Sequence, residues 1–170
     1  MKDVNQNTEE IKIEKLVEQL RSEHGFEREN ARKMLVAKGN KSLKFLTDLL
    51  KHPKHIYRWE AVKTMEEIGA SESLPYFLAA LNDDKSDVRW IAAKGLIKLG
   101  SQSVKPLLEL VKKNEDSVFV LDSAHHVIYD LHEIGELPGS FPAEELLNLL
   151  KRPQGAGRLK VLLYKAIDGL

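Results

Sequence analysis

Cysteine is absent from the 170 residues, which removes disulfides, thiol nucleophiles and cysteine-held zinc from consideration. Net charge is absent too, with Lys+Arg and Asp+Glu at 26 each. Proteins that bind polyanions in general carry a clear basic excess, so this balance argues against that class. No apolar run approaches the ~18 residues of a membrane span. The opening MKDVNQNTEEIK is polar and acidic, where a secretion signal needs a positive region and then an apolar one. A cytoplasmic protein is expected. Strand-like alternation is missing as well. Apolar residues recur at intervals of three and four, the spacing of a helix face.

What the chain does have is a repeat. An arginine stands eleven residues before a glycine at Arg28 and Gly39, Arg58 and Gly69, Arg89 and Gly100, and Arg158 and Gly169. The units RWEAVKTMEEIGASESLP and RWIAAKGLIKLGSQSVKP are offset by 31 residues, and Pro75 and Pro106 keep the same offset. Periods of this length mean stacked supersecondary units. The glycines read as left-handed helix C-caps, and Ser42 and Ser86 or Asp87 as helix N-caps. Apolar content of 42% is enough for a core. The reading is residues 1–8 as a flexible N-terminus and 9–170 as one all-α domain, a short right-handed solenoid of about five helix pairs. PQGAGR, with Gly155 and Gly157, reads as a connector between the last two helices. Ala31, Ala61 and Ala92, each three after a repeat arginine, fit the closest helix–helix approach.

The segments YRWEAVKTMEEIGASESLPYFLAAL from Tyr57 and DVRWIAAKGLIKLGSQSVKPLLELV from Asp87 resemble HEAT repeats. The closer resemblance is to the short type named after the phycobilisome lyase subunits. It is strongest over residues 43–111 and weaker over 10–42 and 112–170. It implies that the second helix of each pair lines a concave wall. It also implies that Asp and Arg near the start of that helix form a ladder between repeats. Arg28, Arg58, Asp87, Arg89 and Arg158 are the ladder residues on this reading, although Phe26, Ile56 and Ala156 stand where the other ladder acids would be.

One and five residues after the repeat arginine stand Trp59 with Lys63 and Trp90 with Lys94. His125 with Tyr129 follows in a fourth unit anchored on Gly135. Residues four apart share a helix face. Stacking should align these pairs into one strip, and aromatic residues beside cations suit partner recognition. The plainer alternative leaves each indole half-buried against its neighbour, stacked on its own lysine.

Three other features point to other chemistry. Asp122, His125, Tyr129 and His132 share one helix face and His126, Asp130 and Glu133 another, a spacing that can hold a metal. Deoxyhypusine hydroxylase, a HEAT-repeat di-iron enzyme, uses His-Glu pairs, but only His132-Glu133 occurs here. The basic KHPKHIYR at 51–58 invites comparison with HEAT-like DNA glycosylases. Phosphate loops and nucleophile elbows are absent. The expectation is a monomeric, non-catalytic scaffold without metal or cofactor, binding a protein or peptide through Trp59, Lys63, Trp90, Lys94, His125 and Tyr129. A nucleic-acid binder and a bilin-lyase-like or metal-dependent enzyme are the alternatives.

Overall fold

The computed structural model describes the backbone of residues 2–151 and 156–170 and the side chains of 7–151 and 157–170. Its ten α-helices are α1 (Lys2–Gln19), α2 (Gly25–Lys38), α3 (Leu43–Leu46), α4 (His55–Ile68), α5 (Leu74–Ala80), α6 (Ser86–Leu99), α7 (Val104–Lys113), α8 (Val118–Glu133), α9 (Ala143–Lys151) and α10 (Ala156–Asp168). None among the described residues is long and apolar enough to cross a membrane. The helix α1 begins inside the stretch read as flexible. Gly155 lies outside the described residues, whereas Gly157 is part of α10.

The chain is a short all-α solenoid. Helix α2 packs on α4, α4 on α6 and α6 on α8 along much of their length, while α1, α3, α5 and α7 meet one another more sparsely. The α2–α4–α6–α8 layer is the more closely packed, inner layer, and α1, α3, α5 and α7 make the outer one. Ala31, Ala61 and Ala92 are 1%, 0% and 0% exposed, and small side chains at such buried positions let packed helices approach closely. The core runs unbroken from Ile13 to Ile167, as expected of units that cannot bury their apolar faces alone.

Sequence periodicity misreads the last pair. Helix α9 packs on inner α8, and α10 packs on outer α7, so the fifth pair is inverted relative to the others. The Lys112 ammonium of α7 lies 4.1 Å over the Tyr164 ring of α10, which fixes α10 in the outer layer. The Arg158–Gly169 spacing is thus a coincidence of sequence. Gly169 is not among the glycines with positive φ, which are Gly39, Gly69, Gly100 and Gly135. Of these, Gly69 has the left-handed cap geometry expected (φ 68°, ψ 25°). Gly39 (ψ −141°) and Gly100 (ψ −150°) are more extended, because each leads directly into a 3₁₀ turn.

The turns also correct the capping assignments. Ser42 holds the N-cap position of α3 but makes no side-chain cap; its buried hydroxyl instead donates to the Leu35 carbonyl at 2.8 Å, satisfying the end of α2. Ser103 does the same for Gly100. At α6, Lys85 holds the N-cap position and makes no side-chain cap, while Asp87 only accepts from the next N–H, that of Val88. Ser117 does cap α8, accepting from Val120 N–H.

Candidate partner-binding face

The repeat arginines are built into the joints. Each guanidinium reaches back six residues to a carbonyl: Arg28 to Ser22 at 2.9 Å, Arg58 to His52 at 2.8 Å and Arg89 to Asp83 at 2.8 Å. That bond closes the loop leading into the arginine's own helix. The remaining donors reach into the next unit. Arg28 donates to Glu60 at 3.1 Å, and Arg58 forks onto Asp83 at 2.6 and 2.8 Å. Paired N–H donors on a carboxylate are among the stronger polar contacts. Burial alone would raise the Asp83 carboxyl, but the bonds from Arg58 and from the Lys85 N–H outweigh it and hold its pKa below the usual range. Glu60, 3% exposed, also takes Arg32 at 2.5 Å.

Two ladder positions depart from expectation. Among the described residues Asp87 makes no bond to an arginine; its Oδ2 is 3.9 Å from His55 Nε2. Arg158 is 72% exposed and pairs with Glu145 at 3.2 Å, within the inverted pair. Arg89 differs in another way. Among the described residues no carboxylate meets it, and its guanidinium instead lies 4.2 Å over the Phe119 ring.

The six strip residues all belong to the inner layer but do not line up rung by rung. Trp59 is half-buried beneath the Arg32 guanidinium, 5.6 Å from the ring centre. Lys63 turns from Trp59 to Glu66 at 2.6 Å and Glu67 at 3.4 Å. Burial opposes its charge, yet these carboxylates win and raise its pKa. Trp90 is 55% exposed and stacks on His126, centroids 4.5 Å apart and planes 18° apart. Lys94 is exposed. His125 and Tyr129 are parallel, 6.3 Å apart. Neighbouring inner helices interdigitate, as ridges in grooves do. Trp90 therefore meets the residue after its expected counterpart, just as Arg28 and Arg32 straddle Glu60.

These rings border a cleft of about 560 Å³ between α6, α8 and α9, whose rim also carries Arg89, Asp122 and Lys151. The volume falls within the ordinary range for a ligand site. Burial, and next Lys151, push the His125 imidazole below its usual pKa, with His126 adding to them and Asp122 opposing. His126 Nε2 is buried without a hydrogen-bond partner; Asp130 stands 3.9 Å away. A larger cleft of about 920 Å³ lies in the outer layer around Glu9, Lys41 and Tyr76. Three of its four lysines are already bound, Lys38 and Lys41 to Glu9 and Lys44 to Glu10.

Sequence reasoning missed Glu60, Arg32, His126 and Lys151 as members of this face. A signal existed for Glu60, which stands two after its repeat arginine where the following unit has Ile91. A charge at an apolar repeat position marks a buried pair. Lys151 carried no such signal, because only the inversion of the last pair brings it to the cleft. Among the described residues no group of three or more His, Asp or Glu could hold a metal ion. The basic segment 51–58 is largely neutralised: Lys54 binds Glu23 at 2.8 Å, Arg58 binds Asp83 and Asp84, and His52 packs edge-on to Tyr57.

Compared with curated proteins, the chain matches none. A family model described as HEAT repeats matches it twice, over residues 13–96 and 43–125. The two stretches overlap and together cover more than half the chain, ending within α8. They span the units in which the arginine-closed loops and the stacked inner helices recur. By this match and this architecture, the chain belongs to the HEAT-repeat family.

Proposed function

We propose that this protein is a non-catalytic interaction module that captures a protein or peptide on its inner wall. Trp59, Lys63, Trp90, Lys94, His125 and Tyr129 form that face. HEAT repeats are commonly protein-interaction scaffolds. The observation that carries the reading is Trp90, an indole 55% exposed at the mouth of the cleft and held in one orientation by His126. A rigid, solvent-facing aromatic ring costs little entropy to bind against, and such residues dominate interface energetics. The 31-residue period supports placing the repeats in the short type named after the phycobilisome lyase subunits. It does not argue for lyase chemistry. On α8, Asp122 is exposed and the Asp130 side chain is 38% exposed, whereas an acid that does such chemistry needs to be sequestered. The internal pairing of the 51–58 cations counts against a phosphate-binding track.

Trp90→Ala tests the reading. The side chain contributes little to the core, so the melting temperature should stay within about 2 °C of the parent, the range of a neutral surface change. Affinity purification should then lose its specific partner. A variant that folds normally and retains its full partner set would refute the proposal.

A further inference from the structure

The cations of the inner wall fall into two groups. On α2, Arg28, Arg32, Lys33 and Lys38 each have a carboxylate within 4 Å, and on α4 so do Arg58 and Lys63. From α6 onward the pairing stops. Among the described residues no carboxylate meets Arg89, Lys94 or Lys151; Arg89 keeps one bond, to the Asp83 carbonyl, and its place over Phe119. Lys98, also on α6, is held by the backbone carbonyls of Glu66 and Glu67.

The unspent charge thus gathers where the exposed indole stands. Arg89 and Lys151 rim the cleft, and Lys94 lies one helical turn beyond Trp90 on the same face. Asp122 also lines the cleft, so its two cations, Arg89 and Lys151, exceed its one carboxylate by one. An unpaired cation beside an open aromatic face can accept a carboxylate and a flat ring together. Arg adds a planar fork suited to carboxylates.

We infer that the cleft between α6, α8 and α9 takes an acidic peptide segment carrying an aromatic side chain. The aromatic side chain packs against the free face of Trp90 beside Tyr129. Flanking Asp or Glu side chains reach Arg89, Lys94 and Lys151. This inference rests on the proposed function and specifies the chemistry of its partner.

The test is selection of a displayed random-peptide library on the full chain, followed by affinities of the enriched peptides for three variants. The expected peptides are enriched in Asp or Glu next to Phe, Tyr or Trp. Trp90→Ala should weaken them about tenfold or more. Lys94→Glu with Lys151→Glu should also weaken them about tenfold. The matched charge change Lys12→Glu with Lys15→Glu on α1, a helix none of whose described residues lines the cleft, should shift them less than about twofold. Peptides that need Trp90 but are neutral or basic would overturn this inference and leave the interaction module standing. No selected peptide at all, or peptides that bind Trp90→Ala as well as the parent, would overturn both.

Discussion

A single glycine shows how tightly the repeat is fitted. Gly95 lies on α6 with the ring of Phe77 flat against its backbone; a Cβ there would stand 2.6–2.7 Å from three ring atoms. Phe77 is 1% exposed and has no room to swing aside. Gly95→Ala would gain at most about 1 kcal/mol in helix propensity, against about 1–3 kcal/mol for overpacking. The packing term should win. Denaturant unfolding is expected to show a lower midpoint at unchanged slope, and Phe77→Leu in the same chain should relieve part of the loss. A stabilised Gly95→Ala would contradict the packing. His125 offers a second residue-scale test. Its imidazole is held below its usual pKa chiefly by burial and then by Lys151. The folded state therefore binds fewer protons than the unfolded one, and stability from this group is complete above the ordinary value of about 6.5. It declines as pH falls through that value and stops declining below the depressed folded pKa. Lys151→Ala should move the His125 titration upward, read from the ring proton by NMR. No movement would mean that α9 does not lie beside α8.

At the scale of helices, what joins one unit to the next is polar as much as apolar. Glu60 of α4 takes both Arg28 and Arg32 of α2, nearly out of water. Glu60→Ala would strand two guanidinium groups. Breaking a buried pair costs about 3–5 kcal/mol, and the lower end is expected, since Arg28 keeps its two carbonyl bonds and Arg32 keeps Glu67. A loss of about 3 kcal/mol by denaturant unfolding, with a smaller loss for Glu60→Gln, would fit. A loss below about 1 kcal/mol would show that the pair is solvated and ornamental. Local pattern revealed most of these helices because arginine and glycine mark both ends of the inner ones. It failed at α3, where Leu43, Leu46, Leu49 and Leu50 suggest a full helix but only Leu43–Leu46 is α-helical and Leu49–Lys51 is a 3₁₀ turn. It held at α8, where Ala124 replaces the arginine but Gly135 still marks the end of a helix that runs Val118–Glu133.

The whole molecule shows what repeat spacing can and cannot convey. Equivalent positions such as Ala31, Ala61 and Ala92 were legible as packing sites, because every regular joint imposes the same steric demand. Inversion of the α9–α10 pair was not legible. It depends on which layer each helix joins, and both helices carry an apolar stripe that either layer would accept. The candidate face was legible in part for the same reason. Its inner-layer residues follow from periodicity, while the Trp90–His126 stack and the arrival of Lys151 follow from interdigitation and inversion. Among the described residues, the resulting wall has its cations paired at the α2–α4 end and unpaired at the α6–α9 end, the end at which recognition is proposed. Photocrosslinking tests this most directly, with a benzophenone amino acid replacing Lys94 on the inner wall or exposed Lys105 on the outer one, irradiated in the native host. The account predicts a discrete protein adduct from position 94 and none from position 105. Adducts from 105 alone, or the same adduct from both, would contradict it.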